Sequence, residues 1–333
     1  MKELIQTLVE IPGPSGYESK IREAIRLRIE PLVDELRVDA LGNLIARKGE
    51  MQPGGKKIML VAHMDEIGLI VTHVDGNGFA RFTTLGGVRA YNLPGGRVRF
   101  MNGASGVLGV QYHSEPDASA FEEMFIDLGA KNREDCPVRV GDVAAFERPF
   151  TDLGERLVAK SMDDRIGVAV LIETLQQLNS SPHELYFVFS VQEEVGVRGA
   201  TTAAYGVAPD FGLAVDVTRT GDTPRDRKME VSLGKGPAIK VRDGGMLSDP
   251  RVVDWMVQIA EKSRLPYQLE IMDGGSTDAR AIQVSREGVP AGCLSIPCRY
   301  IHSPSEMVDY SDVQNGVRLM VALLSESLEL GQD

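Results

Sequence analysis

Between Glu184 and Val195 the chain reads ELYFVFSVQEEV: Leu185 to Val191 are seven consecutive residues without a charge, and Glu193 and Glu194 stand side by side just beyond them. A short run rich in Val, Phe and Leu reads as a strand buried on both faces. Such a strand requires helices over both sides of its sheet, so this run constrains the architecture strongly. It has companions, since Lys56-Lys57 leads into IMLVA and the same texture returns in FGLAV and AGCLSI. Apolar residues at helical spacing mark Glu3 to Val9, Ser19 to Ile29, IGVAVLIETLQQL and DWMVQIAEKS. The expected fold is α/β, with a mixed, mostly parallel sheet flanked by helices.

From residue 68 to 158 the texture changes to short Val- and Phe-rich runs separated by DGNG, PGG, NG and GD, which are turn and hairpin signals. The economical parse is one discontinuous α/β domain, residues 1–67 and 159–333, interrupted by an all-β insert at 68–158. Arg225-Asp226-Arg227-Lys228 reads as a solvated loop. With 36 basic and 48 acidic side chains the formal charge is −12, a surface that repels phosphate backbones and anionic lipid, so neither nucleic acid nor membrane is expected as a partner. The N-terminal stretch carries acidic residues and helical spacing in place of a signal-peptide core, which reads as a cytoplasmic protein. Cys136, Cys293 and Cys298 form no metal or disulfide pattern and read as buried thiols.

Candidate metal ligands fall where the apolar runs end. IMLVA leads to His63 and Asp65, LYFVFSVQ to Glu193 and Glu194, FGLAV to Asp216, and AGCLSI through PCRYI to His302. Carboxyl ends of parallel strands share one crevice, which is where open α/β sheets bind ligands. Asp163 and Asp164 precede the helix that begins near Ile166, where helix entry can hold a carboxylate fixed. Two imidazoles and several carboxylates without a thiolate suit zinc, cobalt or manganese rather than a structural thiolate cluster. Two ions about 3.5 to 4 Å apart need a bridging carboxylate, a His and a carboxylate on each, and a further carboxylate to carry protons. Adjacent residues on a strand face opposite ways, so Glu193 and Glu194 divide into one ligand and one base unless the strand has ended.

Each element alone has a plainer reading: a core histidine at His63, a helix cap at Asp163-Asp164, a solvated strand end at Glu193-Glu194, a turn residue at Asp216. His73, His113 and His183 keep the reading of hydrogen-bonded core histidines. Coincidence favours a site, because buried carboxylates need cations nearby and Arg198 is the only arginine close in sequence to the glutamate pair.

Together AHMDEIG, SMDDRIG, VQEEVGVRGA, AVDVT, GGSTDA and IHSPSEMV, with PGPSGYE and DALGNLIARKG near the start, resemble the tetrahedral, self-compartmentalising metallo-aminopeptidases, a family that includes glutamyl and deblocking aminopeptidases. The resemblance spans nearly the whole chain. It implies a zinc-peptidase-like α/β domain, an inserted barrel-like dimerisation domain, and dimers assembled into a tetrahedral dodecamer acting on peptides. It implies two divalent ions per subunit, zinc or cobalt, with His63 and Asp216 as terminal ligands on opposite sides of the pair, joined by Glu194 and His302, and Asp163 bridging. Asp65 would orient His63 and Glu193 would be the general base and acid, while the Asp163–Asp164 peptide would be cis. GGSTDA would line the substrate cleft, with no role assigned to Thr277 or Asp278. Ser161-Met162 before DDR departs mildly from the family's small-then-bulky apolar pattern. The same metal chemistry would serve a carboxypeptidase or deacylase, and some family members are labelled endoglucanases. A glycosidase needs two carboxylates flanking a sugar about 5 to 9.5 Å apart, which neighbours cannot supply, and 8 Tyr, 10 Phe and 1 Trp give few platforms for a sugar groove.

Overall fold

A computed structural model describes residues 1–111, 121–226 and 228–328. The uncharged run is the strand Glu184–Ser190, with Phe187 and Phe189 fully buried. Each ring contributes about 1.5–3 kcal/mol by leaving water. It pairs in parallel with Lys57–His63, which pairs in parallel with Phe211–Thr218, and that strand with Ala291–Arg299. These four buried strands are the centre of an eleven-stranded sheet whose flanking pairs are mostly antiparallel, including Leu44–Lys48 on one side and Glu306–Asp309 on the other. Outside the centre, one flanking pair, Ala238–Arg242 with Gln268–Ile271, is also parallel. The helix Met162–Gln177, buried along most of its length, packs with Lys2–Glu10 and Tyr310–Ser325 over one face. Arg198–Val207 and Asp278–Gln283 cover the other through a second apolar cluster. No described helix is long and apolar enough to cross a membrane.

The β insert closes into a six-stranded barrel built from strands between Gly68 and Phe146, filled by Leu69, Val98, Leu108, Ile126 and Ala144. The DGNG signal is the turn after Gly68–Val74, where Asp75 Oδ1 accepts the Asn77 and Phe79 N–H groups. After the barrel, Thr151–Asp152 and Arg156–Ala159 pair with the large sheet rather than with the barrel.

The side chains read as bland divide. His183 is buried, its Nδ1 accepting the Lys56 N–H and its Nε2 lying 2.9 Å from the Glu326 carbonyl. His73 is instead exposed on the barrel, 3.3 Å from Arg133, because its strand turns that face to solvent. His113 lies outside the described residues. Cys293 and Cys298 are buried, whereas Cys136 is only half-buried in a barrel loop.

Candidate metal centre

Register brings the ligand candidates together. His63 closes its strand directly beside Ser190, so the two strands end at the same level and the glutamate pair emerges next to the imidazole. Asp216 sits inside Phe211–Thr218 rather than at its exit, because the strand continues through Thr218 with all eight residues buried. His302 stands beyond Ala291–Arg299 at a left-handed φ of 64°, and Asp163 occupies the entry of Met162–Gln177. The Asp163–Asp164 peptide is cis, as the resemblance implied.

The Asp163 carboxylate faces both imidazoles, Oδ1 at 3.1 Å from His63 Nε2 and Oδ2 at 3.3 Å from His302 Nε2. His302 Nε2 is also 3.3 Å from Glu194 Oε2. Donor atoms of His63, Asp164 and Asp216 lie within 4.8 Å of one another, as do those of His63, Asp163 and Glu194. His63 thus belongs to both groups, and it reaches Asp216 because their strands are direct neighbours. Asp164 keeps the helix-cap role, its carboxylate accepting from the backbone N–H of Gly167 and of His63.

The strand has ended when Glu193 and Glu194 appear. Gln192 turns with φ 56°, the Gly196 N–H closes on the Glu193 carbonyl at 2.8 Å, and both carboxylates line one cleft. Glu193 Oε2 is 4.0 Å from His63 Nε2. Asp65, fully buried, sets this turn: Oδ1 accepts the Glu193 N–H at 2.9 Å, and Oδ2 accepts the Glu194 N–H at 3.2 Å and the Ser15 hydroxyl at 2.6 Å. Its Oδ1 and its carbonyl oxygen lie 3.4 and 3.2 Å from His63 Nδ1, which places the ring proton on Nδ1 and leaves Nε2 free to ligate.

Charge in this cavity is one-sided. Asp65, Asp163, Asp164, Glu193, Glu194 and Asp216 converge, while Arg198 is exposed and bonds Gln192. The buried Lys160 and Arg165 face Glu66, and the buried Lys240 is held by Glu270. Burial, with repulsion from Asp278, Asp216 and Glu194, raises the Glu193 carboxyl well above the usual range despite His63, and burial with Asp163 does the same to Asp216. Although burial opposes its charge, Glu194 and Asp163 push His302 up to about 11. Glu194 Oε1 is buried without a hydrogen-bond partner. An N/O donor set, a surplus of buried anions and an orphaned carboxylate oxygen fit a divalent cation.

Several supports had no signal near their targets. Glu306 accepts the backbone N–H of Asp163 at 2.9 Å and of His302 at 2.8 Å, tying two ligand segments together. Gly87, on a barrel loop, lies so close to His302 that a Cβ would stand 2.5 Å from Nδ1. In GGSTDA, Gly275 and Ser276 line the cleft, Thr277 caps the following helix by accepting the Ala279 N–H, and Asp278 is buried against the Ser190 hydroxyl.

The family profile described as M42 glutamyl aminopeptidase matches residues 42–319. A lysyl aminopeptidase of Pyrococcus furiosus is 37% identical, covering 97% of this chain and 96% of the relative. Among solved structures, an aminopeptidase from the archaeon Desulfurococcus kamchatkensis superposes with a TM-score of 0.94 at 41% identity, over 97% of this chain and 94% of its own. The TET1 peptidase of Pyrococcus horikoshii, described as assembling into a tetrahedron or a large octahedral shell, reaches 0.88 at 35% identity over 98% and 99% of the two chains. With the fold, the carboxylate-imidazole cluster and these likenesses in agreement, the chain belongs to the M42 aminopeptidase family of metal-dependent peptide hydrolases.

Proposed function

We propose that this cleft removes N-terminal residues from peptides with two divalent ions per subunit, zinc or cobalt, held by His63, Asp163, Glu194, Asp216 and His302. The observation that carries the reading is Asp163, whose two oxygens face different imidazoles, as a bridging ligand must. His63 and Asp216 complete one side, Glu194 and His302 the other. Divalent ions so held supply Lewis-acid polarisation and a nucleophile at neutral pH. Glu193, in the cleft with its Oε2 4.0 Å from His63 Nε2, takes the proton of the attacking water and returns it to the leaving amine. Asp65 acts through other groups: it orients the His63 ring and pins the backbone of Glu193 and Glu194.

The barrel within 68–158 is the dimerisation unit on this reading, and dimers build a tetrahedral dodecamer in the cytoplasm. The support is the likeness to a TET1 peptidase over nearly the whole chain. A glycosidase is disfavoured because Glu193 and Glu194 leave one turn into one cleft and cannot flank a scissile bond. The test is release of arylamine from aminoacyl arylamides, its loss with chelator and its return with zinc or cobalt. Activity indifferent to chelator, or hydrolysis of N-blocked peptides from the C-terminus, refutes the assignment.

A further inference from the structure

Beyond Ser190 the chain leaves its strand, and the next four backbone N–H groups each meet a side-chain oxygen. Val191 donates to Asn43 Oδ1 at 3.0 Å, Gln192 to Glu18 Oε1 at 3.1 Å, Glu193 to Asp65 Oδ1 at 2.9 Å and Glu194 to Asp65 Oδ2 at 3.2 Å. Side chains from three distant segments thus replace the acceptors that a neighbouring strand would offer. Two of them have other duties. Asp65 faces His63, and the Asn43 amide donates to the Asp39 carboxylate and to the Gly199 carbonyl, which fastens the segment to the helix that follows it.

Glu18 serves one position. It is 4% exposed at the entry of the helix Ser19–Ile29, and the same Oε1 accepts the Gly16 N–H at 2.7 Å. The turn beside it is closed by the Tyr17 N–H on the Pro14 carbonyl and passes through Gly16 at a φ of 85°; from that turn the Ser15 hydroxyl reaches Asp65. The PGPSGYE stretch is therefore packed behind the glutamate turn. Gln192 holds a left-handed φ of 56°, which a residue with a Cβ keeps only where its surroundings impose it, and Glu193 follows directly. The Glu193 carboxylate makes no hydrogen bond among the described residues, its Oε2 standing 4.0 Å from His63 Nε2. Its placement rests on its backbone, whereas Glu194, in the proposed ligand set, is also held by what it binds.

Resting on the aminopeptidase reading, we infer that Glu18 is a positioning residue for the general base: through the Gln192 N–H it fixes the turn that aims Glu193 into the cleft. It acts as an acceptor at a set reach rather than as a charge, since one oxygen takes both N–H groups.

The test separates reach from charge. Glu18→Gln keeps an acceptor oxygen at the same reach and loses the charge; Glu18→Asp keeps the charge and withdraws it by one methylene. On the metal-loaded enzyme with aminoacyl arylamides, Glu18→Asp lowers kcat about 10- to 100-fold, the loss expected when a reacting group is displaced by about 1 Å, while KM and metal content stay at their wild-type values. Glu18→Gln recovers most of that kcat. In a Glu193→Gln background Glu18→Asp costs nothing further, because both changes act through one group. Full kcat in Glu18→Asp, a loss in Glu18→Gln as large as in Glu18→Asp, loss of metal together with kcat, or an undiminished loss in the Glu193→Gln background overturns the assignment. If wild type cleaves no aminoacyl arylamide, the aminopeptidase reading fails, and amide hydrogen exchange still decides whether Glu18 holds the turn. Exchange across the segment around Gln192 is then faster in Glu18→Asp than in Glu18→Gln and wild type, and equal exchange in all three overturns the contact's role.

Discussion

Replacing Asp65 with Asn changes one atom and removes one charge, and the surrounding donors determine the cost. Oδ1 serves the Glu193 N–H and faces His63 Nδ1; Oδ2 serves the Ser15 hydroxyl and the Glu194 N–H. An amide offers a single acceptor oxygen. With its NH₂ at the Oδ1 position, the Glu193 N–H loses its partner and the ring proton is left with only the Asp65 carbonyl oxygen at 3.2 Å. With its NH₂ at the Oδ2 position, Ser15 can rotate its hydroxyl and accept, so only the Glu194 N–H is orphaned. The second orientation wins, and one orphaned N–H costs about 1–3 kcal/mol. The native carboxyl is held ionised because, although burial raises its pKa, the His63, Ser15 and Glu193 contacts together lower it. Losing that charge weakens the hold on the His63 ring, and outer partners of metal-binding histidines are worth about 10- to 100-fold in metal affinity or activity. Asp65→Asn should therefore lower metal affinity by that factor, measured by chelator competition, and destabilise the metal-free protein by about 1–3 kcal/mol in denaturant titration. Adding Ser15→Ala removes the hydroxyl that accepts the amide and should cost more in this background than in wild type. Unchanged metal affinity together with an unchanged unfolding midpoint in Asp65→Asn would refute the reasoning.

Glu193→Gln should retain its metal, by elemental analysis, while kcat falls about 10²- to 10⁴-fold; full turnover would place the base elsewhere. In Gly87→Ala the added Cβ meets the His302 ring at 2.5 Å where about 3.5 Å is needed, so ring or loop moves by about 1 Å. Turnover should drop about 10²-fold with global stability nearly unchanged, and a fully active variant would show that the barrel loop does not position His302. Burial, only partly opposed by the Glu326 carbonyl, lowers the pKa of His183 below its ordinary value. A base depressed on folding stabilises the native state above its unfolded pKa, and that stability is lost as pH falls from about 6.5 through the folded value. His183→Leu should cost about 1–3 kcal/mol at pH 8 through the orphaned Lys56 N–H. The gap to wild type should then narrow in melts taken towards pH 5, and a constant gap would show that His183 does not titrate with unfolding.

What was legible in the sequence was carried by periodicity and by position along strands. The uncharged runs gave the buried parallel centre, because a strand covered on both faces cannot tolerate charge, and the turn dipeptides gave the barrel. His63, Glu193 and Glu194 were found from lying beyond such runs, a rule that depends only on where strands stop. It worked less well for Asp216, since FGLAV shows where apolarity ends while hydrogen bonding to Ala291–Arg299 carries the strand on through Thr218. Which carboxylate pairs with which histidine was not legible either, because strand order decides it and adjacent strands here come from distant segments.

The supports of the site were invisible for the same physical reason, and it separates two kinds of information in the chain. A ligand betrays itself locally: a charge at the end of an apolar run is costly without a partner, so its presence implies one. The group that satisfies it carries no such mark. Ser15 reaches Asp65 across 50 positions, Lys160 reaches Glu66 across 94, and Glu306 reaches Asp163 across 143. Each would be unremarkable on a surface loop. Gly87 is harder still to find, since its contribution to His302 is the side chain it lacks.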